Sequence, residues 1–172
     1  MDRRTTGALA AGLLLASAAL FAVRAHGEDA APEAPRTLAP GDLETFLVEA
    51  GHPSKPETGA LRRVEVRQEG VTYYCDVAVG PDGRYLWLTV PLTSLPPAPV
   101  PRRGLIGLLS ANAGEAGLHF LLSGERIVLA RPLDNREITP TGLSHEIRRF
   151  VEGVRTTREL WDVTRWSKEE VK

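Results

Sequence analysis

The sequence holds a single cysteine, Cys75, among 172 residues. No intramolecular disulfide can form, so stability has to come from a packed core, which a chain of this length can supply. An excess of basic charge is also missing. The chain carries 21 Lys and Arg against 22 Asp and Glu, a formal charge of −1. That balance lacks the electrostatic footprint of a nucleic-acid binder. No GxGxxG or P-loop pattern occurs, and no GxSxG elbow. The four histidines, His26, His52, His119 and His145, are too scattered in sequence to read as a metal cluster. His145-Glu146 opens like a zinc-protease helix, but Arg149 stands where the second histidine is needed. Ser144 and His145 are neighbours, and on a helix they point to different sides, so they form no dyad. Glu169-Glu170 sit in a polar tail. The reading is a chain with no catalytic site, no metal and no cofactor.

What is present begins with a leader. Arg3 and Arg4 precede an apolar stretch from Gly7 to Val23, and Ala25-His26-Gly27 places small residues at −3 and −1 of a cut before Glu28. This is the three-part pattern of a cleavable signal peptide over residues 1–27. It predicts an exported protein, periplasmic or extracellular. An uncleaved membrane anchor is the second reading, because the apolar run falls just short of the ~20 residues that span a bilayer. No cysteine near the cut allows lipoprotein processing, and Thr5-Thr6 weaken any twin-arginine reading. Loss of Arg3, Arg4, Arg24 and Asp2 with the leader leaves 18 basic and 21 acidic residues, a charge of −3. Residues 28–41 are rich in Ala, Pro and acid and read as a flexible tether.

Residues 42–166 are then expected to form one α+β domain, with 167–172 a polar tail. Composition suits a packed core, at 42% hydrophobic and 25% charged. A helix is predicted over Asp42–Ala50, with Leu43, Phe46, Leu47 and Ala50 at i, i+3, i+4, i+7 and Asp42 placed to cap it. Strands follow at Leu61–Gln68, Val71–Val79 and Arg84–Leu92. Pro81 excludes a two-residue type I′ turn between the last two, so a four-residue loop Gly80–Gly83 around a type I turn is expected. Pairing then sums to 163, with Val77 opposite Leu86, Cys75 opposite Leu88 and Tyr73 opposite Val90. That face is apolar and makes Cys75 a buried thiol, unsuited to reaction beside Asp76.

Ser94–Pro101 reads as a stiff extended connector, with a PxxP ligand as the alternative. A helix is predicted at Arg102–Asn112. A second hairpin is expected from Gly117–Leu122 and Arg126–Arg131 around Ser123-Gly124. A long last helix is capped by Thr139, with Pro140 at its first position. Its stripe is Leu143, Ile147, Phe150, Val151 and Val154, and Arg148, Arg149, Glu152 and Arg155 lie off it.

The order α-β-β-β-α-β-β-α resembles the type III secretion chaperone-like fold, and within it the YbjN-like family of bacterial proteins. The residues that carry the likeness are Leu108-Leu-Ser-Ala-Asn-Ala113, Leu118-His-Phe-Leu-Leu122, Ile127-Val-Leu-Ala130 and Ile138-Thr-Pro-Thr-Gly-Leu143. The resemblance implies a dimeric binding protein or chaperone without an enzymatic site. This chain differs in carrying an export signal.

The second sheet face is the candidate binding surface. Tyr74, Tyr85 and Trp87 share it in the expected register, with Trp87 as anchor. Aromatics there call for a cover. That cover is the domain's own helices, its C-terminal Trp161–Trp166 segment, a second subunit, or a ligand. The expected function is an exported, non-enzymatic module that binds a protein or peptide, acts as a homodimer, and takes neither nucleic acid nor, unless the leader is retained, a membrane. The alternatives are a structural envelope protein and a small secreted enzyme.

Overall fold

The computed structural model describes residues 34–114 and 117–168, with the side chains of 167–168 left aside. The leader reading over 1–27, the tether over 28–33 and the tail over 169–172 lie outside the described residues.

A six-stranded antiparallel sheet carries its helices on one side. The chain runs α1 (Leu43–Glu49), β1 (Ser54–Pro56), β2 (Arg62–Gln68), β3 (Val71–Val79), β4 (Tyr85–Ser94), α2 (Arg102–Ala111), β5 (His119–Ser123), β6 (Arg126–Asp134), α3 (Pro140–Thr156) and α4 (Arg158–Trp161). Sheet order is β1-β2-β3-β4-β6-β5. The α+β class and the predicted elements are all present. Two are added. The short edge strand β1 carries Pro56 and escapes any periodicity test, and α4 follows α3 after a break at Thr157.

The amphipathic stripes decide which face is covered. Leu43, Phe46 and Leu47 of α1 and Leu143, Ile147, Phe150, Val151 and Val154 of α3 are all buried. They pack on Val64, Cys75, Val77, Leu86, Leu88 and Leu129, each at zero exposure. The Thr139 hydroxyl accepts a hydrogen bond from Gly142 N at 3.0 Å, and Pro140 opens α3. Asp42 makes no side-chain cap. A 3₁₀ turn over Pro40–Asp42 leads into α1 instead.

The hairpin register differs from expectation. Val79 pairs with Leu86, Val77 with Leu88 and Asp76 with Thr89. Paired numbers therefore sum to 165, and Cys75 lies beside Val64 of β2. A type I turn forms at Gly80–Gly83, where Gly83 N donates to Gly80 O at 2.9 Å. Gly83 then takes φ +69°, a left-handed conformation that costs glycine little, and closure falls on Gly80 and Tyr85. The loop is four residues, as expected, but displaced by one along each strand. A slip of two in the sum preserves both faces, so Cys75 is still fully buried.

The tether reading fails over residues 34–41. Arg36 bridges Ile138, and Leu38 is 2% exposed within the core. Buried Asn135 holds this strap: its Nδ2 donates to Leu38 O and Gly83 O, both at 2.9 Å, and its Oδ1 accepts from Leu38 N. One apolar side chain and one amide clamp thus outweigh a disordered composition.

Candidate functional site

The uncovered sheet face presents Arg63, Glu65 and Arg67 of β2, Tyr74, Asp76 and Ala78 of β3, and Tyr85, Trp87 and Thr89 of β4. Across from β4, Trp87 pairs with Pro132 and Thr89 with Ala130. All three aromatics named from the sequence therefore lie on one face. Tyr74 is 51% exposed, Tyr85 37%, and Trp87 half-buried.

They do not form one cluster. Tyr85 and Trp87 meet edge to face, with ring centroids 6.4 Å apart. Ala78 and Pro132 flank Trp87, and its indole lies against Gly80. Tyr74 sits four residues along β3 from Ala78, about 13 Å at the ~3.3 Å rise of a strand. The two-residue shift in the register sum separates it from Trp87, correcting the expectation that these side chains adjoin.

Between the two lies an ion pair that no pattern along a single strand marks. Arg63 Nε donates to Asp76 Oδ1 at 2.7 Å and Nη2 to Oδ2 at 2.9 Å. Asp76 is 5% exposed, and Arg63 also reaches Glu57 at 2.7 Å. A forked guanidinium of this kind fixes its carboxylate in two directions. The signal available in the sequence was Arg63 facing Asp76 in the β2–β3 register.

The C-terminal segment is not the cover. Trp166 stacks on Gly104 of α2 so closely that a Cβ there would lie 2.1 Å from the indole. Trp161 donates from Nε1 to Val154 O at 3.1 Å. Both tryptophans serve the α2–α3 end of the domain, and α3 packs on β2, β3 and β4 from the opposite face.

Burial pushes the Cys75 thiol up, and the Asp76 charge adds to this, both of which disfavour the thiolate. Glu146 is held by Arg131 at 2.6 Å, and no group of metal-ligating side chains gathers among the described residues. Ser144 does meet a histidine, though not its neighbour. His52 Nε2 lies 3.1 Å from Ser144 Oγ, with His52 only 8% exposed. Burial lowers the His52 pKa, and the Arg148 charge lowers it further. No carboxylate orients its other nitrogen among the described residues, and the pair ties the end of α1 to α3.

No family model matches the sequence, and no curated protein matches it. Among solved structures, a chain of the HopA1–SchA chaperone–effector complex is similar at 16% identity and TM-score 0.47, covering 68% of this chain and 90% of that one. The Yersinia pestis type III secretion chaperone SycH, solved in complex with a stable fragment of YscM2, gives 18% identity and TM-score 0.44, covering 67% and 96%. Both are likenesses of fold alone. At such values the likeness carries nothing about what this chain binds.

Proposed function

We propose that this chain is an exported, non-enzymatic binding module that captures a protein or peptide on its open sheet face and works as a homodimer. The single observation behind the reading is Trp87, half-buried and edge-on to Tyr85 between Ala78 and Pro132, on the face opposite the one where α3 packs. Tryptophan and tyrosine are enriched among the few residues that carry most of the binding energy of protein interfaces. A protein-bound role is also the one named for the two solved neighbours, but the proposal rests on the face itself.

Support for the dimer comes from α2. Ile106 is 48% exposed and Leu109 68%, one turn apart on a helix whose first turn holds Arg102 and Arg103 and no acid. An antiparallel second copy of α2 would cover these side chains and set its negative helix end beside those arginines.

Peptides selected by display against the mature protein test the capture site. Trp87→Ala should weaken the selected ligand about 30-fold, or ~2 kcal/mol, with the fold kept. A variant that holds its ligand but loses several kcal/mol of stability sinks the reading. Light scattering should show a dimer that Leu109→Arg splits. Intact mass of the exported protein should place its N-terminus at Glu28, whereas full-length chain in membranes would favour a retained anchor and the structural envelope alternative.

A further inference from the structure

The sheet is split. β3 and β4 pair only from Val79↔Leu86 to Asp76↔Thr89, although β3 continues to Val71 and β4 to Ser94. The cause is written in the sequence. Gly80 N donates to Tyr85 O at 2.8 Å, which fixes the alternation of hydrogen-bonded pairs down the ladder. After Asp76 with Thr89, the next such pair would be Tyr74 with Pro91. Proline has no N–H to donate, so the ladder stops there. β4 stays on β6 through Pro91↔Val128, then shifts register before Ser94↔Arg126.

Where the strands part, a cleft of about 360 Å³ opens between Thr72 and Tyr74 on one side and Pro91 and Leu92 on the other. Its remaining lining includes apolar Val90, Val154 and Trp161 from the helix side. By the same alternation, Tyr74 and Thr72 turn their backbone groups toward β4, where no strand pairs with them. Arg126 lies on the rim, exposed and without a carboxylate partner among the described residues. Strand backbone left unpaired by β4, an apolar floor and, among the described residues, an arginine on the rim with no carboxylate partner are three separate features that an extended acidic peptide would meet.

We infer that this split receives an extended peptide segment of the partner, one that carries a large apolar side chain followed by an acidic one. Its backbone pairs with the inner edge of β3 at Thr72 and Tyr74, its apolar side chain enters the cleft, and its carboxylate meets Arg126. This rests on the protein-binding reading above and names what is bound.

The test uses the mature protein and terminally blocked heptapeptides with central Leu, Phe or Trp and either Glu or Lys two residues later. Glu peptides should bind at least tenfold more tightly than Lys peptides. Arg126→Glu should reverse that preference without affecting the fold. Pro91→Val restores the missing donor, so it should close the split, slow hydrogen exchange at Tyr74 and weaken the Glu peptides at least tenfold. Absence of any peptide binding overturns the inference. So does binding that is indifferent to both Arg126→Glu and Pro91→Val. A display-selected ligand that then still depends on Trp87 leaves the capture reading standing and removes the cleft alone.

Discussion

The two faces of one sheet obey the same alternation and have opposite fates. On the helix side, Val64, Val77, Leu86, Leu88 and Leu129 meet α1 and α3 and lose all exposure. On the other side, Tyr74 and Tyr85 stay exposed and Trp87 half-covered, and the charge that is buried there, Asp76, is held by Arg63. The difference teaches where residues serve the fold and where they are free to serve a partner. Apolar area on the first face is already spent on stability, and on the second it is still available for binding.

Substitutions on each face sharpen the contrast. Phe150→Ala, at zero exposure in α3, should cost about 3–5 kcal/mol in urea denaturation, as expected for a large aromatic removed from a core. Arg63→Ala should cost about 2 kcal/mol, because Asp76 would keep its burial and lose both donors. Arg63→Lys should recover only part of this, since an ammonium cannot fork across the carboxylate. Trp87→Ala should cost about 1–2 kcal/mol, less than Phe150→Ala, because Trp87 has little left to lose to a cavity. A loss equal to that of Phe150→Ala would erase the distinction between the faces and make Trp87 a core residue.

The smallest effect is a pH dependence at the α1–α3 joint. Burial holds the His52 pKa below its ordinary value of 6.5. The folded state therefore binds fewer protons there than the unfolded chain, so stability is fully present above about 6.5 and declines as pH falls toward the lowered value. Urea midpoints at pH 7.5 and 5.5 should fall for the native chain and fall less for His52→Gln. Equal declines would show that His52 does not govern the acid limb.

The sequence alone determined much that is local. The stripe Leu143, Ile147, Phe150, Val151 and Val154 specified α3 and its buried side, and Thr139-Pro140 marked its start. Strict alternation in Val71–Val79 separated Cys75 and Val77 from Tyr74 and Ala78, and that separation holds. Pro81 excluded a two-residue turn, and the need to keep the two faces separate favoured four loop residues over three. Tertiary structure decided the rest, for reasons that can be named. A period of two is unchanged when the register sum moves from 163 to 165, so no pattern along one strand could place Tyr74 beside Trp87 or away from it. Asn135 on Leu38 and His52 on Ser144 join positions 97 and 92 residues apart, and nothing local marks either pair. The strap at Arg36–Leu38 was hidden by an Ala- and Pro-rich composition because a single buried leucine outweighs it only once the pocket exists. Even the split between β3 and β4, caused by a proline visible in the sequence, became a cleft only when the true register set Pro91 opposite Tyr74.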